Sequence, residues 1–384
     1  LRSNFGIDSR LLVVEITERD LQALQRPTPS DADLTQVLQI LEAYHPRVVG
    51  MALHRELPQG PIEEHMALID QLNQSEAIAV TFLGNGDNQI PPPIGIPDEQ
   101  IGFNDLTTDP DGMLRRSVLI GRYSDGSVAN SFAFQLATRY LATESIFPDA
   151  DPQDPAQMRL GNETLPRLTP NAGQYHNLDN AGYQIMLDYR SGNRGVQTVR
   201  FTDVLNGNIN PAWVTDNIVM IGTTATSSRD RFLTPYSTNL EAAASDGKMP
   251  GVIVHAQMVS HLLDLADGTR SLRWYWPEGV EVIWIIGWAI AGGGLAYYCR
   301  HPILLGSGGI ALVVVISGIS YTVFGQGGWI PTLTPCIAVL LTGGATVAVQ
   351  AYLTQKKQDL ISDFLSKSHL RHTVTQGDSD LPLS

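Results

Sequence analysis

The spacing of apolar and polar positions changes character near residue 280 and divides the chain into two kinds of sequence. Val282–Tyr298, Ile303–Phe324 and Leu333–Tyr352 are long apolar runs without a single charge. A helix needs roughly 20 apolar residues to cross the hydrocarbon core of a bilayer, so each run is long enough to span. Helices that pack inside a water-soluble domain show a polar face, and these runs have none. The spans expected are about 282–299, 303–324 and 332–353.

Upstream the pattern alternates between short β-branched runs and amphipathic stretches. Leu11–Ile16, Arg47–Leu53 and Ala77–Leu83 read as buried strands. Between them, about Asp33 to Tyr44 and Ile62 to Leu72 carry helical spacing, with Ser30 or Asp31 able to cap the first. This β-α-β-α-β order predicts right-handed crossovers and a mainly parallel sheet. Arg115–Tyr123 followed by Ser124-Asp125-Gly126 is hairpin chemistry inserted into that pattern. Asn130–Ala142 reads as a helix, and about Ser145 to Asn180, rich in Pro, Asn and Gly, as a surface excursion. Gln184–Tyr189 and Asn217–Gly222 are two further strands, and Val252–Leu265 is a closing helix. The fold class expected is α/β: a mainly parallel sheet flanked by helices, with an inserted antiparallel hairpin, followed by three transmembrane helices. The boundaries expected are a head at 1–277, the membrane section at 278–354 and a polar tail at 355–384.

Charge orients the membrane section. Arg300 lies between the first two runs, and Lys356, Lys357, Lys367 and Arg371 follow the third, whereas Gly325–Ile330 holds no Lys or Arg. Basic residues collect on the cytoplasmic side, which places the head outside and the C-terminus inside. Arg270 and Arg273 oppose this but are outnumbered. Trp274, Tyr275, Trp276, Trp284 and Trp329 gather near the external boundaries, where aromatic rings favour the headgroup layer; packing of the head on the first helix is the alternative. The chain begins with Leu1 and no signal sequence precedes the head, so a processed form or a piece of a longer protein is expected. Localisation is expected in a plasma or inner membrane as a multi-pass protein.

The net charge of −14 belongs almost wholly to the head. An acidic surface repels phosphate backbones, which sets nucleic acid aside as a partner. Cys299 and Cys336 both lie in the membrane section, so the head must be stabilised by burial rather than disulfides. Small residues at Gly287/Ala291, Gly292–Gly294 and Gly306–Gly309 allow close helix approach, and a homodimer through the head or these helices is one expectation.

Most motif-like clusters favour a plain structural reading. Gly84-Asn-Gly-Asp-Asn-Gln lacks the third glycine of a dinucleotide fingerprint and runs into prolines. Asp109, Asp111 and Gly112 miss two ligand positions of a calcium loop and read as a turn. His255 and His261 are six residues apart, about 600° around a helix, so they face different ways and make a poor metal pair. No cofactor or metal is expected. The segment Thr223, Thr224, Thr226, Ser227, Ser228, Arg229, Asp230, Arg231 stands out because it follows the strand Ile218–Gly222. Ligands of open α/β sheets gather at the carboxyl ends of the strands. Thr223, Thr224, Arg229 and Asp230 are therefore the candidate ligand-binding residues, against the alternative that Asp230 simply pairs with Arg229 or Arg231.

Several segments together resemble the second class of CHASE domains, extracytoplasmic sensor modules. They are Ile218–Ala225, Arg229-Asp-Arg-Phe-Leu-Thr-Pro235 and Met249-Pro-Gly-Val-Ile-Val-His-Ala-Gln-Met258. Upstream, Gly102–Asp105, Asp109–Arg116, Ser131–Ala137 and Phe201–Gly207 continue the likeness. Ile16-Thr-Glu18 and Pro46–Gly50 look like the form common in cyanobacteria, and Trp329-Ile-Pro331 before the third apolar run fits the same pattern. The resemblance implies a sensory input domain for an unidentified small molecule, anchored in a lipid bilayer and without catalysis of its own. Relatives carry kinase or cyclase outputs after the membrane helices, or a caspase-like domain before the sensor. Only about 30 polar residues follow Lys356, so an output is expected upstream, missing, or on a partner. Where relatives usually read Gly-Leu-Asp in the second strand, this chain has Gly50-Met51-Ala52, which puts a role for that acid in doubt. The competing classes are an extracytoplasmic hydrolase and a structural membrane-assembly protein.

Overall fold

The computed structural model describes residues 5–84, 88–173, 175–192, 194–237 and 247–377, with side chains as far as 365. It divides the chain into two compact units: Leu1–Pro170 with Leu178–Arg273, and Asn171–Asn177 with Trp274–Ser384.

The first unit opens with β1 (Asp8–Ile16), α1 (Glu18–Leu24), α2 (Asp31–Glu42), β2 (Val48–Met51), α3 (Ile62–Gln74), β3 (Ile78–Thr81) and β4 (Ile101–Phe103). There follow β5 (Arg116–Arg122), β6 (Val128–Asn130), α4 (Phe132–Ala142), β7 (Pro148–Ala150), β8 (Met158–Leu160) and β9 (Glu163–Leu165). The unit closes with β10 (Tyr183–Met186), β11 (Val196–Arg200), α5 (Phe201–Leu205), β12 (Ile218–Thr223), β13 (Arg231–Phe232), β14 (Met249–Pro250) and α6 (Gly251–Ala266). Six strands form one sheet in the order β11-β1-β12-β2-β3-β4, every pairing parallel. The hairpin β5-β6 joins β10 in an antiparallel sheet. The α/β reading is thus correct.

Parallel strands covered on both faces are apolar on both, and β1 shows it. Leu11 and Val13 join the core that includes α4 and α6, while Leu12, Val14 and Ile16 join the core of α2, α3 and α5. Ser30 caps α2 by accepting from the Asp33 amide, and Asp33 returns the bond to the Ser30 amide, which fixes the helix start at Asp31. α6 is buried along its whole length. Sheet and helix approach most closely where β4 meets the start of α4. A Cβ on Gly102 would stand 2.6 Å from Phe132 Cα and 2.9 Å from its nitrogen. Backbone cannot yield as a side-chain tip can, so Gly102→Ala is expected to cost about 1–3 kcal/mol. Thermal unfolding of the variant checks this; an unchanged melting temperature would contradict the packing.

Several parts of the first unit depart from the sequence reading. The stretch 145–180 is not merely a surface excursion: β7-β8-β9 form a small antiparallel sheet that buries Leu160 and Leu165, and Leu168 is buried just beyond it. α1, α5, the edge strands β4 and β11 and the short pair β13-β14 were not anticipated.

The second unit holds β15 (Trp274–Tyr275), α7 (Glu278–Tyr298), α8 (Pro302–Gly325), β16 (Gly328–Trp329) and α9 (Leu333–Gly377). Glu278–Tyr298, Pro302–Gly325 and Leu333–Leu365 are each long and apolar enough to cross a membrane. α7 and α9 pack most closely at Gly292, where a Cβ would lie 2.6 Å from the Val339 carbonyl oxygen. Thr342 Oγ1 donates to the Ala289 carbonyl at 2.8 Å across the same contact. Trp276, Trp284 and Trp288 stack edge to face, and Trp284 Nε1 donates to the Pro331 carbonyl.

Candidate functional site

β1, β12 and β2 end side by side, and a cleft of about 570 Å³ opens beyond their carboxyl ends. Ile16 and Thr223 end their strands in its wall, Leu53 follows β2, and the rest comes from two loops far apart in sequence. One runs from α1 through Arg26, Pro27, Thr28 and Pro29; the other holds Ala225, Ser227 and Ser228.

The first wall is fixed by buried polar groups. Thr17 caps α1 in a box with Asp20. Asp20 is fully buried and accepts from the Thr202 amide at 3.0 Å and from its hydroxyl at 2.5 Å. Burial alone would raise the Asp20 carboxyl; the bonds from Thr17 and Thr202 outweigh it and hold it below the usual range. Gln25 ends α1 in the left-handed conformation, turning the chain into the Pro27–Pro29 segment. Behind that segment Arg55 donates to Thr28 Oγ1 at 3.1 Å and to the Pro29 carbonyl at 3.0 Å. Asp31, wholly buried, holds Arg55 Nε at 3.2 Å and His65 Nδ1 at 2.9 Å, and accepts from the Gln59 amide. Burial lowers the Arg55 pKa, against the opposing pull of Asp31 and Glu56.

The second wall is tethered to the first: the Ser227 amide donates to Glu18 Oε2 at 3.3 Å. Ser228 Oγ accepts from the Asp230 amide, and the Asp230 carbonyl accepts from the amide of Gly251, the first residue of α6. The Asp230 carboxylate fills the space over the Gly251 α-carbon, leaving no room for a side chain there. A carboxylate at a helix N-terminus is favoured by the helix dipole. The protein crowded around it raises the Asp230 pKa, although solvent reaches the exposed residue and limits the shift.

The four residues singled out by sequence thus take three positions. Thr223 lines the cleft. Thr224 is buried and donates to Glu15 Oε2 at 3.1 Å, beside the Arg194–Glu15 pair. Arg229 and Asp230 lie past the cleft, between its wall and α6. The alternative pairing does not occur: among the described residues the Asp230 carboxylate has no ion pair with Arg229 or Arg231. Sequence reasoning missed Glu18, Gln22 and Arg26. The signal was the Thr17-x-x-Asp20 capping box directly after a strand, which starts a helix at a ligand-bearing sheet edge. Ala52 continues the β2–β12 pairing through its amide to the Ile221 carbonyl and packs its methyl on the core.

The other clusters take structural roles. Asp109 and Asp111 are held by Arg115, and Asp109 also by Arg116, around a turn closed by the Gly112 amide on the Asp109 carbonyl. Of the fingerprint-like stretch, Asn85, Gly86 and Asp87 lie outside the described residues. His255 and His261 are enclosed in α6, the first with its ring edge-on to Phe132, the second near Asp188, Arg270 and Arg273. Neither is hydrogen-bonded to Ser227 or Ser228.

The family model described as the CHASE2 domain matches residues 1–294. No curated protein and no solved structure matches the chain. A sensor-domain match over the first unit, followed by three apolar helices, makes this a membrane protein suited to a sensory input role. The chain belongs to the CHASE2 domain family.

Proposed function

We propose that this chain is a membrane-anchored sensory input module whose head binds a small polar ligand in the strand-end cleft. The head, 1–277, stands outside the cytoplasm, three helices cross the bilayer, and the tail from 355 is cytoplasmic. One observation carries the reading. The wall of the cleft continues, through Ser228 and Asp230, straight onto the N-terminus of α6. α6 leads to Arg270 and Arg273, where the first unit ends. A ligand that prefers one arrangement of the 225–230 loop would therefore bias α6, and only such unequal binding transmits a signal. In this reading Thr223, Ser227 and Ser228 contact the ligand, while Arg229 and Asp230 relay its presence.

Two measurements test it. A reporter fused after Ser384 is expected to be active on the cytoplasmic side; external activity would overturn the topology. Thermal stability of the full chain in lipid nanodiscs, screened against small polar metabolites, is expected to rise with a binder. Ser227→Trp, which fills the cleft from an exposed loop, should abolish that rise. A rise that survives the substitution would place binding elsewhere.

A further inference from the structure

We propose that the cleft selects a small zwitterion of the amino-acid type, its carboxylate held by Arg26 and its ammonium by Glu18. This rests on the reading of the cleft as the ligand site and adds the chemistry of what it takes.

Glu18 and Arg26 are the two ionisable residues in the cleft lining, one of each sign. The remaining polar lining is neutral: Gln22 and the hydroxyls of Thr28, Thr223, Ser227 and Ser228. The Arg26 side chain makes no hydrogen bond or ion pair among the described residues. Its position is nevertheless set, because the left-handed Gln25 precedes it and the Pro27–Pro29 segment that follows is bonded to buried Arg55. The backbone is thereby fixed while the exposed guanidinium stays free to turn into the cleft, where it offers paired donors matched to a carboxylate. Glu18 spends one oxygen on the Ser227 amide, through a long bond of 3.3 Å, and its other oxygen has no protein partner among the described residues.

These two charges discriminate among ligand classes. A simple anion would be repelled by Glu18 and by a head that carries nearly all of the net charge of −14. A simple cation could pair with Glu18 but would leave Arg26 unpaired and face its charge. An uncharged sugar would pair neither charge. A zwitterion pairs both. Its side chain then meets the apolar part of the wall, Leu21 and Leu53, and about 570 Å³ leaves room for a large side chain or a second residue. Because Glu18 also holds the Ser227 amide, an ammonium arriving there acts on the loop that leads to α6.

The test is calorimetric titration of the full chain in nanodiscs with each common L-amino acid. Matched probes carry an acetylated amine or an amidated carboxylate. At least one amino acid is expected to bind, and each blocked form should bind at least tenfold more weakly. Arg26→Gln should weaken the free amino acid at least tenfold while leaving the amidated probe unchanged. Glu18→Gln should do the same for the amine, leaving the acetylated probe unchanged. Circular dichroism and melting temperature would verify that these exposed-wall variants remain folded. No binding by any amino acid, or blocked forms binding within twofold of the free one, would overturn the proposal. If a sugar or a simple anion binds instead and Ser227→Trp abolishes it, the zwitterion assignment is wrong and the cleft remains the site. If amino-acid binding survives Ser227→Trp, the cleft itself is the wrong place.

Discussion

Asp264→Ala is expected to be the most damaging single substitution in the head. Asp264 sits near the end of α6, almost fully buried, and three arginines converge on it. Arg190 Nη1 approaches to 2.7 Å and Arg270 Nη1 to 3.3 Å, and Arg10 pairs with it as well. Arg10 also binds Asp8, whose carboxylate takes the Ser260 hydroxyl at 2.7 Å; Arg270 and Arg273 share Asp188. Each charge was taken out of water only because another met it. Removing the carboxylate that three guanidiniums share leaves each with only a second partner, Asp8, Asp267 or Asp188, and leaves buried positive charge in excess, at a cost of about 3–5 kcal/mol. Against a domain stability of roughly 5–15 kcal/mol this is a large fraction. The melting temperature should fall by about 6–20 °C, at about 2–4 °C per kcal/mol for a domain of this size. Asp267→Ala is the control: Asp267 pairs with the same Arg10 at 2.6 Å but is 37 % exposed, so its loss should cost less than about 1 kcal/mol. Equal effects from the two substitutions would contradict the buried-hub account.

The second large effect is a loss of stability in mild acid, above the range where carboxylates titrate. His255 and His261 are enclosed in α6, and burial depresses their pKa values to about 4 and about 3, Arg270 adding to the effect at His261. The unfolded chain takes up protons at both near pH 6.5, while the folded head resists until far lower. Stability contributed by these neutral histidines is therefore complete above about pH 6.5 and declines as pH falls through 6 and 5 towards 4. Each contributes a slope approaching 1.4 kcal/mol per pH unit over that window. Partly buried His54, also lowered by burial, adds in the same sense. Asp230, Asp267 and Glu42, raised by burial, oppose it. Asp8, Asp20 and Asp188 are held below the usual range despite burial, by bonds and charges from their partners. Their loss comes only below about pH 3.8, so it meets the histidine window only at its acid end and leaves pH 7 to 5 to the histidines. Denaturant titrations at pH 7, 6 and 5 should show the decline. His261→Leu with His255→Gln should flatten it; an unchanged slope would contradict the assignment.

Much of the fold was legible because burial on both sheet faces leaves an unmistakable mark. β1, β2, β3 and β12 are short β-branched or apolar runs, and α2 and α4 announce themselves through Ser30 and Ser131 at their caps. What escaped notice had weaker marks. β11, Val-Gln-Thr-Val-Arg at a sheet edge, buries only its two valines, three positions apart, and α1 buries Leu21 and Leu24 only in part. The strands β7, β8 and β9 are three residues each, too short for periodicity to register. The cleft was half legible. The strand end at Thr223 and the hydroxyl-rich loop after it could be found by rule, but the facing wall from Glu18 to Pro29 lies about 200 residues away. The β1–β12 pairing brings the two together, a contact that no local pattern announces.

The central claim is that a ligand in the strand-end cleft acts on α6 through the 225–230 loop. Hydrogen exchange on the full chain in nanodiscs, with and without the compound that scores in the thermal screen, tests this most directly. The account predicts slowed exchange in two places: amides 225–230, and the first two turns of α6, residues 251–257. Both changes should be lost in Ser227→Trp. Protection confined to the β7–β9 sheet or to α3, with the loop and the start of α6 unchanged, would contradict it.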